Sequence, residues 1–514
     1  MPDFGRSANL HPLTVRVGSS REVLAVVLLA AIAMYVLRHG LRIGSIDDFI
    51  PFHLTEADME QFHWGLYNWG RWLTILELKF LEQVGIPVRL AERNLYPVFE
   101  LSLALMNTLF VIRLWKHLDL IAVSSVLFLG MTVSWLILAN FDVCIVSLLT
   151  CFFATSVLIV TPMSERRFLP ILFSVTLAAA SSYQGFLYPL VAIVTMIVIG
   201  DVLSSEDQGF GKAALELVKS AVCMVLALVT YLILTKFINL WLDLPGRFTV
   251  GSKTSFMFGR HLGEAVSYLF YHDWLLPAGK FAKTAVNWRL ATYVVIGLLL
   301  ASLVVLSKQR FRILLLTGLA AAAFAMLAMQ PLQLLSGHKN IPLRAFGFAN
   351  YVSIATILIL LGFWRANSLF KWQFLTRAVG LFLAMMTFVL ALHTSAIVDT
   401  FLRTRERDLE WARAIETFVI GNKIPGDTVI ATALSHRRDR LDVRYAGPAG
   451  IDALASTFLR PSKFLKLLRD TTSVSPSPVT QQQQKLAKEH CEKFGRDGAI
   501  IRMEYVEPLL IVCM

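Results

Sequence analysis

Apolar runs long enough to cross a bilayer recur along most of this chain, and short loops rich in Lys and Arg separate several of them. A helix crossing about 30 Å of hydrocarbon needs roughly 20 mostly apolar residues. Runs of that kind lie at Val23–Leu37, Val98–Trp115, Leu120–Leu138, Val143–Val160, Phe168–Ser182 and Phe186–Leu203. Five more lie at Leu215–Leu240, Leu290–Leu306, Ile313–Met329, Phe346–Phe363 and Val379–Ile397, which makes about eleven crossings. Composition agrees: 56% of the 514 residues are hydrophobic and 16% are charged, against about 25% charged in soluble proteins. A water-soluble fold, a disordered chain, a disulfide scaffold and a nucleic-acid-binding module are all excluded on that ground. The net charge of +12 is an orientation signal rather than a partner signal. The expected fold is an all-α polytopic membrane protein.

The positive-inside rule fixes a direction for these spans. Arg113/Lys116, Arg166/Arg167, Lys308/Arg310/Arg312 and Arg365/Lys371/Arg377 all fall on the cytoplasmic side if the N-terminus is inside and eleven spans follow. The first run follows basic residues but leads into His39-Gly40-Leu41-Arg42 rather than a small-residue cleavage site, so it is read as a retained helix. Phe168–Leu203 is interrupted by Ser181-Ser182-Tyr183-Gln184-Gly185. It is read as a hairpin with an outward tip, because a single crossing would turn the later basic loops outward. The expected organisation is a cytoplasmic N-terminus (1–22), a transmembrane domain (23–398) with outward loops at 39–96, 243–289 and 331–345, and an outward C-terminal domain (399–514). The C-terminal domain is thus expected on the outer face of the membrane.

That last segment changes character. A helix-like stretch at Leu409–Ile420 is followed by Pro425-Gly426-Asp427 and by β-like runs at Thr428–Ala431, Ala499–Met503 and Leu509–Cys513. The Ser/Pro/Gln-rich stretch Ser473–Gln484 reads as a loop. Cys144, Cys151 and Cys223 fall in spans, as small apolar packing residues. Cys491 and Cys513 share the outward domain, either as a disulfide or as two free thiols.

The candidate chemistry gathers in the outward segments. Asp47 and Asp48 directly follow the first span. Two adjacent carboxylates beside a low-dielectric boundary push at least one pKa upward, which suits a general base; otherwise they are solvated juxtamembrane acids. Further on, Leu66, Trp69, Leu73, Leu76 and Phe80 repeat at helical spacing, as in a helix lying on the outer leaflet. Arg71 follows Gly70 among aromatics and offers a fork to a phosphate, or else makes an ordinary headgroup contact. Tyr183 and Gln184 at the hairpin tip are either a helix-turn cap or sugar contacts. The basic side chains of the second outward segment, Arg260 among them beside His272 and Asp273, and Arg344 in the third, would draw a phosphate toward the outer face, or else are solvated loop charges. His272 and Asp273 are candidate metal ligands, but no second pair completes a recognisable site, so no cofactor is firmly indicated and a divalent metal is left open. Ionisable residues inside the runs (Glu100, Asp142, Lys219, Lys236) lie near their ends, unlike the mid-membrane charges of a proton-coupled transporter.

In order and in shared outward placement, several of these segments resemble the membrane-embedded glucosyltransferases of the phage serotype-conversion, GtrII-like type, within the C-type glycosyltransferase fold. They are Asp47-Asp48, Gly65-Leu66-Tyr67-Asn68-Trp69-Gly70-Arg71, Ser182-Tyr183-Gln184, Pro342-Leu343-Arg344 and the Arg405–Ile415 helix. The resemblance spans most of residues 21–420; nothing beyond Gly421 carries it. It implies a transferase in a bacterial inner membrane, its C-terminus periplasmic, that takes glucose from a polyprenyl phosphate and attaches it to a lipid-linked surface polysaccharide, usually O-antigen, outside that membrane. The implied roles are Asp48 as base, with Asp47 raising its pKa, orienting the acceptor or exchanging roles with it. Arg71, with Arg344 or Arg260, would hold the donor phosphate; Tyr183, Gln184, Trp69, His272 and Asp273 would contact sugar. A lipid-linked sugar flippase and a polysaccharide polymerase are the competing readings.

Overall fold

The computed structural model describes residues 20–38, 70–85, 88–132, 135, 145–204, 210–243, 347–367, 372–433, 468, 472–474, 476–477, 479–493 and 502–513. Eleven α-helices and three strands follow in chain order among them. They are α1 (Ser20–Arg38), α2 (Trp72–Gln83), α3 (Val88–Trp115), α4 (Leu120–Gly130), α5 (Ile145–Val160), α6 (Phe168–Ser182), α7 (Leu187–Ser204) and α8 (Phe210–Trp241). Then come α9 (Gly347–Asn367), α10 (Trp372–Gly421), β1 (Val429–Ala433), α11 (Gln481–Lys493), β2 (Arg502–Val506) and β3 (Leu509–Cys513).

Nine of the eleven expected runs are helical in the structure. The other two, 290–306 and 313–329, lie outside the described residues. Among the described residues, five segments are long and apolar enough to cross a membrane: Ser20–Leu37, Leu95–Trp115, Gln184–Asp201, Leu215–Trp241 and Phe374–Leu392. The apolar helices at Leu120–Gly130, Ile145–Val160, Phe168–Ser182 and Asn350–Gly362 are shorter. The run expected as one helix from Leu120 to Leu138 ends at Gly130, where Met131 is the C-cap. Leu24, Leu29 and Ile32 on α1, Ile233 and Phe237 on α8, and Leu381 and Phe388 on α10 stand exposed in rows. Apolar faces of that extent suit lipid rather than water.

One end of the bundle is tied by a single cation. Arg113, closing α3, pairs with Asp201 near the end of α7. It also donates to the Ile159 and Thr161 carbonyls, which the end of α5 leaves without helical partners. Starting from the adjacent 161–167 turn, α6 runs to the opposite end. There, Tyr183 and a 3₁₀ turn (Gln184–Phe186) reverse the chain into α7. The expected hairpin is thus present, and its tip rests on an aromatic cluster: the Phe152 ring meets Phe99 at 5.3 Å in a tilted contact, and Trp135 at 5.3 Å and Phe186 at 5.7 Å edge to face.

α10 is a single helix of 50 residues, about 75 Å long at 1.5 Å per residue. Its first half carries the span. Its last turns supply Ala412, Ile415 and Val419 to a separate core with Ile430, Leu510 and Val512. Residue 399, the expected domain boundary, therefore falls inside continuous helix.

The C-terminal sheet has the order β1-β3-β2, with β1 parallel and β2 antiparallel to β3. All five β3 residues are buried, and alternate side chains meet different layers. Leu510 and Val512 join the α10 side, while Leu509, Ile511 and Cys513 join Ala487 and Cys491 of α11. Cys491 and Cys513 form a disulfide, which resolves the alternative left open by the sequence. The stretch read as a loop to Gln484 is helical from Gln481. Thr480 and Gln483 bond reciprocally: Thr480 N donates to Gln483 Oε1 at 2.9 Å, and Gln483 N donates to Thr480 Oγ1 at 3.3 Å. A capping box of this kind starts a helix that composition alone would deny.

Candidate functional site

The tip between α6 and α7 gathers polar side chains from four segments of the chain. Gly70 has φ +71°, a left-handed turn that favours glycine, and it delivers Arg71 to the N-cap position of α2. α6 ends where Tyr183 turns extended (φ −144°, ψ 99°). The Tyr183 ring folds back over Gly185, so closely that a Cβ there would lie 2.5 Å from ring carbon Cε1. Only glycine fits at that contact.

Around this turn, Arg71 lies with its guanidinium carbon 5.0 Å from the Tyr183 ring centroid, a cation–π geometry. Its Nε donates to Gln184 Oε1 at 3.4 Å. The Gln184 amide in turn donates to the Tyr231 hydroxyl at 3.0 Å, on the buried face of α8. Arg71, Tyr183, Gln184 and Tyr231 thus form one connected cluster, with a cation at one end and a phenol at the other.

A second polar chain lies beneath it. Thr74 Oγ1 donates to the Ser182 carbonyl at 3.0 Å and shares a 2.7 Å hydrogen bond with Ser147 Oγ. Because Thr74 gives its proton to the carbonyl, Ser147 is the donor of the second bond. The pair pins α2 to α5 and to the end of α6, and so fixes where Arg71 meets the tip. One turn along α2, which is not among the spanning helices, is Glu77. Burial pushes its carboxyl above the usual range, and the neighbouring Thr150 and Ser147 hydroxyls pull against that shift. Neither Glu77 oxygen makes a hydrogen bond of good geometry among the described residues.

The sign of the Glu77 effect is definite. Above the ordinary carboxyl range the unfolded chain has released this proton while the folded chain still holds it, so stability falls as pH rises through the folded value. Glu77→Gln, which mimics the protonated acid, should melt higher than the native protein at alkaline pH, with the gap narrowing toward acid. Parallel melting-temperature curves across pH would refute this account of Glu77.

Of the residues singled out from sequence, the structure brings Arg71, Tyr183 and Gln184 together across a separation of 113 positions. Asp47, Asp48, Trp69, Arg260, His272, Asp273 and Arg344 lie outside the described residues. Sequence reasoning passed over Thr74, Glu77, Ser147 and Tyr231. The surface apolar row of α2, including exposed Leu76 and Phe80, drew attention away from Thr74 and Glu77 on its other side. Among the described residues no group of three or more His, Cys, Asp or Glu is placed to hold a metal ion. In comparisons with known proteins, no family model, no curated protein and no solved structure matches this chain.

Proposed function

We propose that this protein is a membrane-embedded glycosyltransferase of the C-type fold. In this reading it moves a sugar, glucose by the resemblance, from a polyprenyl phosphate to a lipid-linked surface polysaccharide such as O-antigen, on the periplasmic face of a bacterial inner membrane. The observation that carries the reading is the convergence of Arg71 with Tyr183 and Gln184. A phosphate-binding group and two sugar-binding groups, read from separate motifs, meet at one end of the bundle. The disulfide in the C-terminal domain supports an oxidising compartment for that domain. The Arg113–Asp201 tie lies at the other end of the bundle, the end the positive-inside rule assigns to the cytoplasm.

The chemistry is a single displacement. An acceptor hydroxyl oxygen attacks the sugar's anomeric carbon, and its proton passes to the Asp48 carboxylate, with Asp47 beside it. The bond from the anomeric carbon to the phosphate oxygen breaks, and its electron pair leaves on the polyprenyl phosphate. Phosphate departs without protonation, so one base suffices. Arg71, with Arg344 or Arg260, takes up the charge that develops on the leaving group.

The direct test uses membranes holding the full chain, labelled polyprenyl-phospho-glucose and lipid-linked polysaccharide from the same organism. Label should reach the polymer with the native chain, and Asp48→Asn should lower transfer by roughly 10²-fold or more, as expected for removing a general base. Full transfer by both Asp47→Asn and Asp48→Asn would remove the base from this reading. No donor consumption by intact native protein would favour a flippase instead.

A further inference from the structure

α8 was read from sequence as a plain apolar run, but its buried face is not uniform. That face carries Met224 and Ala227, then Tyr231, Thr235 and Asn239, each four residues after the last from Ala227 on. Between these positions Ile233 and Phe237 are more than 60% accessible, Leu232, Leu234 and Ile238 are half-buried, and Lys236 is exposed beside the seam rather than on it. A polar seam therefore begins at Tyr231, the residue that accepts from Gln184, and continues along α8 away from Ala227. Positions four apart on a helix rise about 6 Å, so Tyr231 to Asn239 covers about 12 Å.

Two groups on this seam are buried and unsatisfied. Thr235 is 2% exposed and Asn239 7%, yet among the described residues Thr235 Oγ1 and Asn239 Oδ1 make no hydrogen bond of good geometry. The Thr235 hydroxyl approaches the Tyr231 phenol without reaching such a bond. Elsewhere in the bundle Ser156, Thr176, Thr356 and Thr387 return their hydroxyls to the carbonyl four residues earlier. Thr235, like Thr108, Ser125, Thr155 and Thr195, makes no such bond among the described residues, and it alone of these stands one turn from the Tyr231 that accepts from Gln184. Unsatisfied polar groups in a helix that otherwise faces lipid cost free energy, and such groups mark ligand paths.

We infer that the Tyr231–Thr235–Asn239 seam is a binding site for the uncharged, hydroxyl-rich ring of a phosphate-linked lipid, with the phosphate at the Arg71 end. A phenol, a hydroxyl and a carboxamide offer donors and acceptors but no charge, which suits sugar hydroxyls and not a second phosphate. This rests on the proposed transferase reading and adds to it the residues that choose the sugar. Discrimination of this type comes from buried polar groups left unpaired by the wrong ligand.

The test measures binding to the purified full chain of undecaprenyl phosphate alone and of the same lipid carrying glucose, galactose or mannose. The native chain should prefer one of the sugar-bearing lipids. Thr235→Val and Asn239→Leu, which keep volume but lose the polar atoms, should each weaken that binding by about tenfold and leave undecaprenyl phosphate unchanged. Thr235→Ser should restore it. Equal binding of the preferred lipid by native and variant chains overturns the inference, as does an equal loss for all four lipids, which would mark a packing role. Native binding of undecaprenyl phosphate without preference for any sugar also overturns it, while leaving a lipid-phosphate site at Arg71. Native binding of none of the four removes the transferase reading as well.

Discussion

Arg71→Ala should lower sugar transfer by roughly 10²–10³-fold, the loss typical when a preorganised group facing developing charge is removed. The side chain is held from two directions before any ligand arrives, by the Tyr183 ring beneath it and by Gln184 on its Nε. A donor phosphate would therefore meet a guanidinium whose ordering cost is already met by folding. Arg71→Lys keeps the charge but loses the planar fork and should restore only a small part of the activity. The readout is label transfer in membranes, with melting temperature measured beside it. Arg71 is only partly buried, so the fold should lose little, about 1 kcal/mol or less. Full activity in Arg71→Lys would show that the fork is not used.

A comparably large effect, on stability rather than turnover, belongs to the disulfide. Cys491 and Cys513 are both buried, 22 positions apart, and join α11 to the strand at the centre of the sheet. A bridge closing a loop of that length stabilises by roughly 3 kcal/mol on the chain-entropy account. Replacing both cysteines by serine should therefore make the C-terminal domain open about 10²-fold more often. Limited proteolysis of the full protein should then cut the region beyond Gly421 much faster, while the fragment holding α1 to α9 persists. Unchanged cleavage after the double replacement would mean that the sheet stands on its hydrophobic layers alone.

The helices were legible because lipid demands continuous apolar stretches, and a running average over residues detects these directly. Nine expected runs are helical for that reason. The same averaging hides what happens on one face of a helix. Tyr231, Thr235 and Asn239 sit four apart in a stretch whose mean is strongly apolar, so only their spacing betrays them. Glu77 was hidden by its neighbours, since the exposed Leu76 and Phe80 define a second face of α2 that dominates the pattern. Arg71, Tyr183 and Gln184 were legible individually, each as a polar residue among apolar ones. Their meeting was not, because contact between positions 71 and 184 depends on the packing of α2 against α5 and α6. In the C-terminal domain the strands lay close to the expected runs. α11 was missed because a Gln-rich stretch has no apolar signal, and the Thr480–Gln483 capping pair decides where it starts.

The continuity of α10 makes the direction in which the C-terminal domain faces a property of the last span. From Leu392 to Ala412 is 20 residues of helix, so the domain's core stands about 30 Å along the axis from the apolar segment. A helix advances about 100° per residue. One residue inserted in this stretch would turn the whole domain by that angle and raise it about 1.5 Å, whereas a seven-residue insertion would restore the bearing within about 20° and lift it about 10 Å. The domain is thus indexed to the bundle like a key on a shaft: it cannot swing independently, and any rotation or tilt of the span is delivered to it at full angle.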